Sequence, residues 1–186
     1  MPYVSDGRKL IEHAFRHGYA LPAFNFCSLE MAKACVEAAE ELQALVILQT
    51  YPVDLSFSSP RVMAGMVRAL AEEAGVPVML HLDHGGGLGA VVECLRAGYS
   101  SVMLDGGGMA LAQVLEATRW AVGLGVAKVN VGSASYRALL RVWCERAGEL
   151  STHCAVYAEA RAAVGEQARN CIALLGAAGK AKLFSA

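Results

Sequence analysis

The sequence predicts an α/β fold built on a parallel sheet, and three observations predict it. Short, mostly apolar runs alternate with longer amphipathic stretches along most of the chain. Each run is apolar almost without interruption, which is typical of parallel strands that are buried on both faces. Polar residues or glycines follow each run before the next helix begins, as in α/β proteins that place their chemistry at strand ends.

The elements follow from these runs in chain order. The predicted strands are residues 21–24, 45–49, 78–82, 101–104 and 126–131. The predicted helices are residues 7–17, 29–42, 60–74, 88–97, 109–122, 136–147 and 156–175, the last two closing the chain after the final strand. Ser59 and Pro60 supply an N-cap and a proline at the first helical position for the third helix.

Composition favours one globular domain over residues 1–186. The chain is 55% hydrophobic and 18% charged, so it can bury a substantial core. A formal charge of -1 gives no electrostatic reason to expect nucleic acid or an anionic membrane surface as a partner. Polar or charged residues interrupt every apolar run before the ~18 residues that a membrane-spanning helix needs. We therefore expect neither nucleic acid nor a membrane as a partner.

The start of the chain and the cysteines indicate a cytoplasmic location. Charged residues occupy the positions where a secretory signal would have its apolar segment. The six cysteines form no CxxC pair, a distribution typical of reduced thiols rather than of a disulfide framework or a zinc knuckle.

Asp83 and His84 end the third predicted strand and are followed by three glycines. A carboxylate can act as a general acid or base, and a neutral imidazole can bind a divalent metal. Strand alternation would point the two side chains to opposite faces unless the backbone turns at Asp83. An alternative is that Asp83 caps the helix starting near Leu88 and that His84 is a loop histidine.

The other strand ends carry polar residues that parallel strands deliver to the same edge of the sheet. These residues are Asn25, Gln49, Thr50, Asp105, Asn130 and Ser133. Because they come from different strands, groups far apart in sequence are expected to converge there.

Five ordered motifs carry a resemblance to a known family. They are LPAFN at 21–25, the strand at 45–50, HLDH at 81–84, the strand at 101–105 and KVNVGS at 128–133. The chain resembles the class II, zinc-dependent ketose-bisphosphate aldolases, which cleave fructose or tagatose bisphosphate reversibly to dihydroxyacetone phosphate and an aldehyde. The C-terminal segment at residues 174–181 is similar to the C-terminal segment of the family.

The resemblance implies roles for individual residues. Asp83 would be the proton donor, and His84 would be one ligand of a catalytic Zn²⁺. Asn130, Val131, Gly132 and Ser133 would hold the dihydroxyacetone phosphate moiety, and Asn25 and Thr50 would contact the substrate from the first two strand ends. Ser133 stands where the family has threonine, and Gly132 where it has alanine or aspartate.

The chain is short for this family, whose eight-stranded (β/α) barrel typically needs ~250 residues. The sequence passes from the helix after strand four almost directly to the last strand, so strands five to seven, with the second and third zinc histidines, are missing. Catalytic zinc normally takes three protein ligands, and one matched histidine remains. His81 is expected to pack within its strand, and His13 and His17 lie on the first helix, away from the strand ends.

Two architectures and two functions stay open. The five strands can form a partial barrel or an open sheet, with the last strand beside the first or beside the fourth, or with another subunit covering the gap. We expect a homo-oligomer. The chain is then either a zinc-dependent aldolase or an inactive, shortened relative that binds a phosphosugar or acts as an assembly partner, and the isolated chain is expected to be impaired or inactive.

Overall fold

A computed structural model describes residues 3–104, 128–131, 133–146, 148–149, 152–174 and 177–184. The elements in chain order are α1 (Gly7–Arg16), β1 (Leu21–Asn25), α2 (Leu29–Glu41), β2 (Val46–Thr50), α3 (Pro52–Phe57), α4 (Pro60–Glu73), β3 (Val78–Gly85), α5 (Leu88–Ala97), β4 (Ser101–Leu104), β5 (Lys128–Val131), α6 (Ser133–Arg146), α7 (His153–Leu174) and a short 3-10 helix (Lys180–Leu183).

The strands within the described residues form one parallel sheet in the order β4-β3-β2-β1-β5. Phe24 of β1 lies opposite Leu48 of β2 on one side and Val131 of β5 on the other. Leu48 in turn lies opposite Leu80 of β3. The last described strand therefore pairs with the first, and the alternative that placed it beside strand four is wrong.

The strands are buried for the reason the sequence suggested. Every residue of β1 and β2 is buried, as are the first six of β3, so both faces of the sheet are covered at these three strands. Burying a leucine or isoleucine such as Ile47 or Leu80 contributes about 1.5–3 kcal/mol relative to leaving it exposed. α2 packs against α7, and α7 packs against α6. The apolar runs thus correspond to the centre of the molecule.

The helix starts are set by side-chain caps. The Ser59 hydroxyl accepts a hydrogen bond from the backbone N–H of Val62, and Pro60 follows it at the first helical position, as the sequence predicts. Ser28 accepts in the same way from the N–H of Met31 at the start of α2. Each cap satisfies one backbone donor that the helix itself leaves unpaired.

The structure differs from the sequence prediction in two short elements and in the bounds of three others. α6 and α7 each begin three residues before their predicted starts. α3 and the 3-10 helix were not predicted, because a helix of four to six residues is too short to show a helical period. β3 runs to Gly85, three residues beyond the predicted end. The helix predicted at 109–122, Asp105 and the first two residues of the predicted last strand lie outside the described residues.

The prediction of an α/β fold with a parallel sheet, flanking helices and two closing helices is confirmed. Three points stay predictions. They are that the whole chain has five strands, that these form a partial barrel or an open sheet, and that residues 1–186 form a single domain. Among the described residues, none of the helices is long and apolar enough to cross a membrane.

Candidate functional site at the carboxyl edge of the sheet

Three neighbouring strands bring buried polar side chains to one edge of the sheet. Asn25 ends β1, Gln49 and Thr50 end β2, and Asp83 lies near the end of β3. All four are at most 7% exposed. Asn25 lies directly opposite Gln49 in the parallel register, so the predicted convergence of the first three strand ends is present.

The Gln49 amide connects these strand ends. Its Nε2 donates to Oδ1 of Asn25 at 2.8 Å and to Oδ2 of Asp83 at 3.1 Å. Both partners are side-chain oxygens that accept, so the Gln49 amide directs its NH₂ group toward Asn25 and Asp83. The Gln49 Oε1 atom is buried and has no hydrogen-bond partner among the described residues. From the sequence, Gln49 was identified only as a polar residue at the end of a strand, and no role was predicted for it.

Asp83 and His84 differ in burial: Asp83 is buried and His84 is exposed. The backbone also leaves the regular strand conformation at this point, since His84 has a φ of 50° and the β3–β4 register shifts between Leu82 and Gly85. The alternative in which Asp83 caps the next helix is wrong, because α5 begins after Gly87 without a side-chain cap.

Thr50 is fully buried, and its Oγ1 lies 2.9 Å from the hydroxyl of Tyr99. Burial raises the pKa of Tyr99, so its phenol stays protonated at neutral pH. The Thr50 hydroxyl is thus engaged within the protein. Its role in substrate binding stays a prediction.

The segment predicted to hold dihydroxyacetone phosphate reaches the same edge. Asn130 lies opposite Ala23, and Val131 lies opposite Phe24, one residue before the end of β1. Ser133 begins α6, and Gly132 lies outside the described residues. The backbone therefore places this segment beside Asn25, and the binding roles of its four residues stay predictions.

Asp54 is a further buried carboxylate at this edge, and the sequence analysis did not identify it. Its Oδ2 accepts from the backbone N–H of Tyr51 at 2.9 Å, and its Oδ1 accepts from the Tyr136 hydroxyl at 3.1 Å. Burial raises the pKa of Asp54, and these two hydrogen bonds act in the opposite direction. The one sequence signal was an acid in the first turn after Pro52, a position that favours carboxylates.

The described residues do not fit a catalytic zinc site. Such a site needs three protein ligands, and the described part of the chain holds no group of three His, Cys, Asp or Glu side chains placed to bind a metal ion. His81 lies within β3 with its Nδ1 2.5 Å from Ser101 Oγ, as expected for a packed histidine. His13 and His17 stack on each other at the C-terminal end of α1. His84 is the single matched ligand at the edge.

The fold and this edge define a class of protein: a parallel α/β protein with an acid and polar side chains gathered at its strand ends. Solved structures agree with that fold. The chain is similar to the YdjI aldolase from Escherichia coli K12, with a TM-score of 0.84 and 20% identity over 95% of this chain and 99% of that one. It is also similar to a putative fructose-1,6-biphosphate aldolase from Coccidioides immitis, with a TM-score of 0.80 and 20% identity over 95% and 98% of the two chains.

Sequence comparisons identify the family. The protein-family model described as fructose-bisphosphate aldolase class-II matches residues 5–123 of the chain. The chain belongs to this family. It is 41% identical over 99 residues to the fructose-bisphosphate aldolase of Thermus caldophilus, a match that covers 53% of this chain and 32% of that protein. It is 36% identical over 104 residues to the fructose-bisphosphate aldolase of Treponema pallidum (strain Nichols), covering 53% and 31%. The chain thus spans about a third of the length of these curated relatives.

Proposed function

We propose that this chain binds a phosphorylated ketose or dihydroxyacetone phosphate at the carboxyl edge of its sheet, and that the isolated chain does not carry out zinc-dependent aldol cleavage. The observation that carries the proposal is the buried row of Asn25, Gln49 and Asp83. The row supplies polar groups for a ligand, but the described residues around it do not supply a set of metal ligands.

The chemistry of the row suits a ligand rich in hydroxyl groups. The Gln49 Oε1 is a buried acceptor without a partner among the described residues, and leaving such an atom unsatisfied costs about 1–3 kcal/mol. A ligand hydroxyl that donates to this oxygen would recover that free energy. The first turn of α6, beginning at Ser133, offers backbone N–H groups of the kind that bind phosphate at helix N-termini.

Aldol cleavage makes a further demand that the described edge does not meet. The bond breaks with development of negative charge on the ketose oxygen, and that charge needs an electrophile or preorganised donors. Zn²⁺ is the family's implied cofactor, and His84 alone does not hold a catalytic zinc. Asp83 would remain as a buried carboxylate able to exchange a proton with a bound ligand.

A second candidate function is a complete zinc-dependent aldolase acting on fructose or tagatose bisphosphate. The adjacent Asp83 and His84 favour it, because they are the family's matched acid and metal ligand. It requires two more zinc ligands from outside the described residues or from a second copy of the chain.

Calorimetry and an activity assay on the full chain distinguish the two candidates. We expect dihydroxyacetone phosphate to bind to the wild type and to bind more weakly to Asp83→Ala. After removal of metal, we expect no stoichiometric zinc uptake and no cleavage of either bisphosphate. Zinc-dependent turnover that His84→Ala abolishes and His153→Ala preserves would establish the second candidate. Failure of dihydroxyacetone phosphate to bind would remove the first.

We further propose that the chain is a single shortened unit derived from a (β/α) barrel, with five strands in a partial barrel or open sheet. Its family membership, parallel sheet and partial span of its relatives support this proposal. A cytoplasmic location and a homo-oligomeric state stay predictions from the sequence.

A further inference from the structure

An exposed apolar side chain stands beside a cavity on the outer surface of α3. Phe57 is 83% exposed, and Val53, four residues earlier on the same face of the helix, is 53% exposed. Phe57 also lines a cavity of about 430 Å³, whose other apolar lining residues include Pro52, Leu55, Leu82 and Ala90. Val53, Phe57 and this cavity form the α3 patch. Exposed apolar groups gathered in one patch are typical of protein contact surfaces.

The charges around the α3 patch are complementary in sign. Within residues 51–60 the single charged residue is Asp54, which is buried, so this segment presents a neutral surface. Arg61 directly follows it at the start of α4, and Glu93 of α5 lines the cavity. Both are exposed, and neither belongs to an ion pair formed between described residues. The patch therefore has a neutral centre with one positive and one negative side chain beside it.

This arrangement favours a second copy of the chain as the occupant of the patch. In a two-fold symmetric contact the same surface meets itself, so a projecting group on each copy can enter a hollow on the other. Phe57 can fill the cavity of the second copy in this way, and Arg61 can face Glu93 across the contact. Symmetry would bring any charge at the centre close to its own copy and cause repulsion, which a neutral centre avoids.

We propose that the α3 patch, with Arg61 and Glu93 at its rim, is the contact surface of a two-fold symmetric homodimer. The contact would lie beside the candidate functional site, because Tyr51, at the N-cap of α3, meets the His84 ring edge-on with centroids 6.2 Å apart. The proposal goes beyond the proposed function and does not depend on which ligand the site binds.

The first test removes the apolar anchor. Phe57→Ser should weaken dimerisation at least about a hundredfold, because a symmetric dimer loses two buried phenyl rings. Phe15→Ser is the matched control, since Phe15 is 63% exposed on α1 and lies outside the patch, and it should keep the wild-type dissociation constant. Sedimentation velocity of the full chain at a series of concentrations measures the association, and circular dichroism verifies that each variant is folded.

The second test reverses the charges at the rim. Arg61→Glu and Glu93→Arg each place like charges opposite each other twice in a homodimer, so each variant alone should dimerise more weakly than the wild type. An equimolar mixture of the two variants should form a heterodimer. In it the introduced glutamate faces the introduced arginine, and the native Glu93 of one copy faces the native Arg61 of the other. Glu72→Arg, near the other end of α4, is the control and should dimerise as the wild type does.

The outcomes decide the proposal in both directions. Loss of the dimer in Phe57→Ser, together with its recovery in the mixture of Arg61→Glu and Glu93→Arg, supports it. A wild-type chain that stays monomeric at every concentration overturns it, as does an assembly that Phe57→Ser leaves unchanged. Weakened single variants that fail to form a heterodimer overturn the two-fold arrangement. Ligand binding enters none of these measurements, so the proposed function is tested separately.

Discussion

Gln49 donates a hydrogen bond from its side-chain Nε2 to Oδ2 of Asp83, and this contact joins the ends of β2 and β3. The same nitrogen donates to Asn25 on the other side, so one fully buried amide determines where the proposed acid of the site lies. The strands around these residues are apolar, and a buried polar group keeps such a position only when its partners are present.

The substitution Gln49→Leu should destabilise the protein by about 3 kcal/mol, because it leaves the Asn25 and Asp83 oxygens without this donor in a buried environment. The free energy of unfolding in urea, followed by circular dichroism, measures the loss. Gln167→Leu on α7 is the control, since that half-buried amide donates to the sulfur of Cys171 at 3.5 Å, and it should change stability by under about 1 kcal/mol. Equal losses in the two variants would contradict a special role for Gln49.

The protein should be more stable with glycine than with alanine at position 84. Its φ of 50° lies in the left-handed region, where a Cβ atom costs about 1–2 kcal/mol. Both substitutions remove the imidazole, so a comparison of His84→Gly with His84→Ala isolates the backbone effect. We expect the free energy of unfolding of His84→Gly to exceed that of His84→Ala by about 1 kcal/mol. The greater flexibility of glycine in the unfolded chain offsets the rest of the gain.

The matched pair at Leu80, in regular β3, should show the opposite order. There Leu80→Gly should be less stable than Leu80→Ala, because extended backbone gives glycine no advantage and its flexibility weakens a strand. If His84→Ala is more stable than His84→Gly, then residue 84 does not have the left-handed conformation described above.

Asp54 should make stability depend on pH in a defined direction. Burial raises the pKa of Asp54 in the folded chain above its ordinary value, so the folded state holds this proton more tightly than the unfolded state does. That contribution is fully present below the unfolded pKa of about 3.9 and is lost as the pH rises through the folded pKa. Relative to wild type, Asp54→Asn should therefore gain stability between pH values of about 4 and 7.

Urea denaturation of both proteins at several pH values between these limits measures the difference. Glu72→Gln serves as the control, because an exposed carboxyl on α4 should give a difference from wild type that varies much less with pH. A constant difference between Asp54→Asn and wild type would show that the folded and unfolded states hold the Asp54 proton equally.

The sequence predicted the parts of this molecule that local pattern determines. The strand ending at Thr50 and the helix capped by Ser59 follow from apolar runs and capping residues a few positions apart. The convergence of the first three strand ends also followed, because parallel strands deliver their ends to one edge. The sequence did not predict which distant side chains contact each other. Asp54 and Tyr136 are 82 residues apart, and their contact depends on where α6 packs.

The cysteines allow a test of the packing of α2, since burial controls thiol chemistry. Burial raises the pKa of Cys35 to about 12 and that of Cys94 to about 11, and both side chains are buried, whereas Cys144 and Cys154 are exposed. The thiolate is the form that iodoacetamide attacks. At neutral pH we expect Cys144 and Cys154 to be alkylated at least about a hundredfold faster than the two buried residues, as measured by mass spectrometry of peptides over time. In urea that difference should disappear, which controls for the intrinsic reactivity of each peptide. Rapid labelling of Cys35 in the native protein would mean that α2 separates readily from α7, and the described packing of these helices would then be wrong.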